Sequence, residues 1–392
     1  MAGGYPDDER PAMARSIKIE DIAERLGIMD RMRRAAAEWV GPCPVCGGDD
    51  RFALNPHKNV WSCRIEKVGG DGISLWQHVR GVDFPTALTD LCGGRTIDPV
   101  ERERIKLAAE KREAEQKREA ERYRAESIKR AKRIWAEARA SDRSPVVTYL
   151  AGRGIPAAML AVMPASIRYH ADLPYMVPVE GRREWRCVYR GAAMVAAIQG
   201  PDRQLIGVHR TWIDLDRPGK KQTIIDPDTG LAAVDSKGKP LAVKKMEGSH
   251  KGGAIRLSHV SDPNFTSLVC GEGIETTWSA MAADAVPDAA YWACGSLDNM
   301  SGPMERIDGS RWSGRPDLSR EAGFVCPPWV KRLIYIQDGD SHPASTRAKL
   351  ECGLRRSAVA VPGLQIRIVH PGAGIDLNDL LQGKGAVDSD AD

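Results

Sequence analysis

From Thr266 onward, short apolar runs alternate with segments of helical periodicity, and few folds accommodate that alternation. Ser267–Cys270, Tyr291–Ala293, Arg332–Ile336 and Gln365–Val369 read as strands, and Glu275–Ala283 and Ala344–Arg356 read as helices. Strand, helix, strand in repetition predicts a mainly parallel sheet flanked by helices, with its ligand site beyond the carboxyl ends of the strands. Acidic residues follow three of the runs: Glu272 after Leu268-Val269-Cys270, Asp338 and Asp340 after Leu333–Gln337, and Asp376 with Asp379 after Ile366–Ile375.

A parallel sheet gathers its strand ends, so these carboxylates are expected to converge on one crevice. Uncompensated carboxylates repel one another, and the usual remedy is a divalent cation held by oxygen ligands, Mg²⁺ or alternatively Mn²⁺. Gly271 and Gly273 flank Glu272, and Gly339 separates the two aspartates, which lets a phosphate approach closely. Any one of the clusters alone suits a turn or a helix N-cap. Three clusters at three strand ends point to a metal.

The remainder of the chain sets the context. Between Glu101 and Arg139 more than half of the residues are Glu, Lys or Arg and there is no Gly or Pro, which predicts a long solvated helix acting as a spacer. Residues 16–40 read as helical from the spacing of Ile17, Ile19, Ile22, Ala23 and Leu26, with Gly27 as a stop. From Trp39 to about Gly94 the texture is that of a compact ribbon followed by one helix, Ile73–Val79. After Ser144 and Pro145 a mixed α/β region has strands at Met194–Ile198 and Leu205–Thr211, and a polar hairpin at Ile224–Pro240. The expected class is α/β multidomain. Its parts are a helical lead-in (1–38), a ribbon (39–95), a charged linker (96–143), a mixed core (144–264), the parallel-sheet domain (265–384) and a disordered tail (385–392).

At 42% hydrophobic, 392 residues are enough for two or three cores. No apolar run approaches the roughly 20 residues a membrane span requires. The start, MAGGYPDDER, lacks a secretory pattern, and nine cysteines, an odd number, fit a reducing compartment, so a cytoplasmic location is expected. The net charge of +4 permits nucleic-acid binding without demanding it.

Three of the cysteines are organised. Cys43 and Cys46 form a Cys-x-x-Cys pair, and Cys63 follows a short β-like stretch. A second pair normally closes a tetrahedral zinc site, but the position three residues after Cys63 is Glu66. Three readings compete: a Cys₃Glu site, a Cys₃His site completed by His57, and a ribbon with impaired metal binding. Trp61 is either a stacking surface for single-stranded nucleic acid, with Arg51 and Arg64 as phosphate contacts, or part of the ribbon's own core.

The segments CGEGIETTWSA, LIYIQDGDSHPAS and GIDLNDLLQG resemble the Toprim fold of DnaG-type primases, topoisomerases and some nucleases, in the subtype of phage and mobile-element primases. Glu272 matches the family's glutamate, Asp338 and Asp340 its Asp-x-Asp, and Asp376-Leu-Asn-Asp379 the ending of that subtype. Ser341, His342 and Pro343 depart from the small turn that usually follows. Val146–Leu160 is similar to the element opening the primase core, Ala192–Leu257 extends the resemblance with an ending similar to the basic segment preceding Toprim, and the cysteine ribbon is similar to the primase zinc ribbon. The resemblance implies Mg²⁺ on the aspartates, a metal or acid/base role for Glu272, and zinc in the ribbon. Lys244, Lys245 and Lys251, with Arg210, are expected to contact nucleotide or template phosphate. It implies synthesis of RNA primers from ribonucleoside triphosphates on single-stranded DNA. A phosphate-binding Gly-x-x-x-x-Gly-Lys-Ser/Thr loop is absent from the sequence, so a separate replicative helicase is the expected partner. The alternatives are a Toprim nuclease and a non-polymerising DNA-binding protein derived from a primase.

Overall fold

A computed structural model of the chain describes residues 10–35, 37–66, 68–93, 99–179, 184–235, 238–258, 266–283, 286, 288–305, 307, 312–320, 323–337, 343–370, 372 and 377–383. The tail at 385–392 lies outside them. The chain divides into two compact units, Met1–Ala120 and Glu121–Asp392. Among the described residues no helix is long and apolar enough to cross a membrane.

The first unit opens with α1 (Arg10–Ser16) and α2 (Ile19–Arg25). Helix does not continue to residue 40 as its periodicity predicted. Gly27 takes a positive φ of 68° and ends it, and β1 (Arg33–Ala35) and β2 (Glu38–Cys43) follow as strands. Pairing decides this: Trp39 and Val40 sit opposite Leu54 and Ala53 of β3 (Gly47–Asn55), so a sheet contact overrides local preference. With β4 (Val60–Cys63) and β5 (Val68–Gly70) they form an antiparallel sheet in chain order. Two helices, not one, close the unit. In α3 (Gly72–Arg80) the Asp71 carboxylate accepts from the Ser74 N–H, and in α4 (Phe84–Cys92) the Asp83 carboxylate accepts from the Thr86 N–H, so both are N-capped. Ile19, Ile22, Phe52, Leu54, Trp61, Leu75 and Leu88 build the core.

The charged run is helical as expected, forming α5 (Pro99–Glu137). Its last turns are not a solvated spacer. Ala131, Ile134 and Trp135, spaced three and four apart, place an apolar stripe in a core of the second unit with Leu173, Tyr175 and Trp212.

In the second unit α6 (Ser144–Ala151) and α7 (Ala157–Leu160) precede β6 (Ile167–Pro178), β7 (Trp185–Gln199), β8 (Leu205–Trp212) and β9 (Lys244–Gly248), an antiparallel sheet in chain order. Between β8 and β9, the bridges Ile225 to Ala232 and Val234 to Pro240 are antiparallel, in keeping with the expected hairpin. The chain continues through β10 (Ile255–Arg256), β11 (Ser267–Gly271), α8 (Ile274–Ala282), β12 (Ala289–Ala293), α9 (Leu297–Ser301), β13 (Arg332–Ile336), α10 (Pro343–Ala360), β14 (Gln365–Val369) and α11 (Leu377–Leu381). The second sheet runs β10-β12-β11-β13-β14, parallel except for β10 at the edge. Alternation along the strands sends Leu268, Cys270, Leu333 and Tyr335 to the face covered by Leu350 and Leu354 of α10. Val269, Ile334 and Ile336 pack with Ala280 of α8 on the other face. The connection after β11 leads to one side of that strand and the connection after β13 to the other. The carboxyl edge between β11 and β13 is therefore the topological switch point, where open α/β sheets bind their ligands.

Candidate functional site

Glu272 stands at that switch point, immediately after β11. The turn is tight: a Cβ on Gly271 would come within 2.5 Å of the Thr277 hydroxyl, which itself donates to the Gly273 carbonyl at 2.7 Å. Glu272, Lys244, His209, Gly273 and Gly295 line a cavity of about 210 Å³. Burial raises the Glu272 carboxyl above its usual range, against a backbone hydrogen bond from Leu297 and the more distant charges of Lys244 and Lys349. Among the described residues no lysine or arginine pairs with it directly. A half-buried carboxylate lacking a counter-ion suits a divalent cation.

β13 pairs with β11 along Cys270 opposite Tyr335, and its successor Gln337 is buried, its N–H donating to Val369. Asp338 and Asp340 come next in sequence. Both lie outside the described residues, as does Asp376. Asp379 is half-buried in α11. That short helix is anchored by Asn378, whose amide donates to the Arg153 carbonyl at 2.8 Å and to Ser279 Oγ of α8 at 3.1 Å.

Behind Glu272 lies a network the sequence reading missed. Glu275, buried in α8, accepts from Tyr149 at 2.8 Å and Lys244 at 3.0 Å, and Lys221 is 3.8 Å away. Burial works to raise its pKa, but Lys244 and Lys221 together hold it well below the carboxylate range. Lys221 in turn is lowered to about 8, by burial above all. His209 is lowered to about 4 by burial and then by Lys244, which leaves its imidazole neutral near pH 7. The available signal was an acid three residues after Glu272 in an otherwise uncharged helix.

The four predicted basic residues are not brought together. Thr211 pairs with Lys244 and Arg210 with Lys245 in the β8–β9 register, so Lys244 and Lys245 face opposite sides of the sheet. Lys244 reaches the Glu272 cavity. Lys245 lies 4.0 Å over the Tyr175 ring and donates to the Met176 carbonyl at 2.9 Å. Arg210 is buried on the same side, 3.6 Å from Glu247. Glu247 also binds Arg130 and Ser127 of α5, both at 2.9 Å. Lys251 is exposed in the turn between β9 and β10.

In the first unit, Cys43, Cys46, Cys63 and Glu66 place one donor atom each within 4.8 Å of all the others. The sulfurs of Cys46 and Cys63 are 3.5 Å apart. Burial, then the neighbouring thiols of Cys63 and Cys43, pushes the Cys46 thiol up to about 12. Such crowding fits a cation that takes thiolates, zinc above all. His57, the alternative fourth donor of the sequence reading, sits in the turn after β3 and is not part of this cluster. Trp61 is 3% exposed and belongs to the core, not to a stacking surface. Arg64 pairs with Asp50 at 3.2 Å.

Residues 125–257 match the model of a domain of unknown function, DUF7146. The match begins within α5 and ends just after β10, so it takes in the helix end that packs on the antiparallel sheet. No curated protein matches the chain by sequence. Among solved structures, the chain is similar to the Aquifex aeolicus primase (zinc binding and RNA polymerase domains) at 14% identity, over 96% of this chain and 82% of that one, with a TM-score of 0.35. It is similar to a DNA primase domain from Pseudomonas aeruginosa at 11% identity, over 62% and 68%, with a TM-score of 0.35. The primase fragment of the bacteriophage T7 primase-helicase protein aligns at 12% identity over 89% and 96%, with a TM-score of 0.31.

A larger cavity of about 580 Å³, lined by Trp135, Arg203, Arg256, Trp292 and Trp329 among others, holds none of the predicted site residues. Chemistry selects the smaller one. There a carboxylate suited to a cation, a lysine held in place by a buried acid and a neutral imidazole meet at the switch point.

Proposed function

We propose that the chain is a primase-type nucleotidyltransferase, making short RNA primers on single-stranded DNA at a Toprim site on the carboxyl edge of its parallel sheet. One observation carries this reading. Glu272, which among the described residues pairs with no lysine or arginine, lies at the end of β11 and shares a cavity with Lys244 at the switch point, and Asp338 follows the adjacent strand β13 by two residues in sequence. Glu272, Asp338 and Asp340, with Asp376 and Asp379, would hold the cation. Bound there, Mg²⁺ or Mn²⁺ supplies the Lewis acid that neutralises a triphosphate and its pyrophosphate leaving group.

In this reading Lys244 binds a phosphate oxygen while Glu275 fixes its position, and Lys251 contacts the template backbone. A 3′-hydroxyl attacks the α-phosphorus of a ribonucleoside triphosphate. The new bond forms to the 3′-oxygen, the bond to the β-phosphate breaks so that pyrophosphate leaves, and the hydroxyl proton is lost to water. The ribbon of the first unit grips the template, and a separate helicase supplies single strands. Arg210 and Lys245 face the α5 side, where Arg210 supports Glu247, the residue that binds that helix, and Lys245 rests on Tyr175.

The test is incubation of the full chain with single-stranded DNA, labelled ribonucleotides and Mg²⁺, beside Asp338→Ala. Labelled primers that vanish in the variant support the proposal. Shortened DNA without incorporation indicates a nuclease, and binding with neither product indicates a non-polymerising protein.

A further inference from the structure

The three thiolates of the first unit leave a fourth position, and two side chains compete for it. Glu66 follows Cys63 by three residues in the β4–β5 turn, where the other half of a paired knuckle would normally offer a thiolate. His78 comes from α3, twelve residues further on, and its Nε2 lies 3.5 Å from Cys43 Sγ and 3.5 Å from Glu66 Oε2. With zinc–sulfur bonds of about 2.3 Å and zinc–nitrogen bonds of about 2.0–2.1 Å, two tetrahedral ligands of these types stand about 3.5–3.6 Å apart. The imidazole nitrogen is therefore already at ligand-to-ligand distance from Cys43.

We propose that His78 is the fourth zinc ligand, completing a Cys₃His site with Cys43, Cys46 and Cys63, and that Glu66 stands beside the metal without binding it. This rests on the reading that the three thiolates hold zinc. Three observations favour the imidazole. Zinc prefers nitrogen and sulfur, and a carboxylate is the harder donor. Three thiolates and a carboxylate would leave the site with two excess negative charges in a half-buried place, whereas a neutral imidazole leaves one. The two side chains are also held differently. His78 is 13% exposed and stacks on the buried Trp61 ring at 4.5 Å, on a helix whose start is fixed by the Asp71 cap. Glu66 sits in the β4–β5 turn, where its side chain is 28% exposed, about twice as open to water as His78.

The backbone explains why the knuckle persists without its fourth cysteine. The backbone N–H groups of Ile65 and Glu66 favour the Cys63 thiolate, and that effect belongs to the turn, not to the Glu66 side chain. The metal would thus join three pieces: the β2–β3 turn carrying Cys43 and Cys46, the β4–β5 turn carrying Cys63, and α3.

X-ray absorption at the zinc edge of the zinc-loaded full chain tests this without any substitution. The expected spectrum has three sulfur neighbours and one nitrogen, with the outer-shell scattering of one imidazole. Zinc with three sulfurs and oxygen but no imidazole overturns the proposal. Competition with a chromophoric chelator gives the second reading. His78→Ala should bind zinc at least about 100-fold more weakly, beyond the range of an outer-shell partner, and Glu66→Gln should change affinity by less than about tenfold. The reverse order refutes it. A chain that holds no zinc, with Cys46→Ser indistinguishable from it, would instead remove the zinc reading itself.

Discussion

Replacing Glu275 by Gln isolates the buried network behind Glu272. The side chain is 6% exposed and, among the described residues, is the carboxylate that pairs with Lys244 at 3.0 Å and Lys221 at 3.8 Å. Removing one partner of a fully buried ion pair costs about 3–5 kcal/mol. The two ammonium groups are 36% and 30% exposed, so solvent screening lowers the expectation to about 2–3 kcal/mol. The amide oxygen still accepts from Tyr149, so that hydrogen bond survives. Glu275→Leu loses it as well and should cost about 1 kcal/mol more. The sign with pH follows from the depressed carboxyl. Its contribution is complete above the ordinary value of 4.5 and is lost as pH falls below it, so the gap between wild type and Glu275→Gln should be full at pH 7 and narrow in acid. Urea unfolding of the full chain at pH 7, followed by circular dichroism, measures it. A loss under about 0.5 kcal/mol, or a Leu variant no worse than the Gln variant, would refute the reasoning.

Other consequences follow from the same structure. His209 is lowered from 6.5 to about 4, so the unfolded chain gains a proton first as pH falls and stability is lost between those values. His209→Gln should recover about 2–3 kcal/mol of the loss between pH 7 and 4.5, and urea unfolding at both pH values shows whether the slope changes. Stripping zinc with a chelator should lower the melting of the first unit by on the order of 10 °C while leaving that of the second nearly unchanged, and calorimetry with two unmoved transitions would count against the cysteine site. Asp83→Ala removes the cap of α4 and should cost about 1 kcal/mol by chemical denaturation, with no change expected in zinc content.

The C-terminal sheet was legible because its strands alternate: Leu268, Val269 and Cys270 reach both faces, and helical stretches separate the runs. The strands β1 and β2 were not, because β1 depends on pairing with β2 and β2 on pairing with β3, which no local period records. α4 escaped because Pro85 and a short span hid a helix that its Asp83 cap and buried Leu88 and Leu91 sustain. In the site, Glu272 was readable from its place after an apolar run. Lys244 and Lys245 were grouped because they are adjacent in sequence, although neighbours on a strand face opposite ways. Glu275 and His209 acquire meaning only when α8 and β8 pack, and His78 only when α3 returns to the ribbon.

The central claim is that the carboxylates at the switch point hold a divalent cation. Titration of the zinc-loaded full chain with Mn²⁺, followed by electron paramagnetic resonance, measures that directly. Wild type should take up one or two ions, and Glu272→Gln combined with Asp338→Ala should weaken binding by about tenfold or more with the fold intact by circular dichroism. Equal Mn²⁺ binding by wild type and double variant would contradict the account.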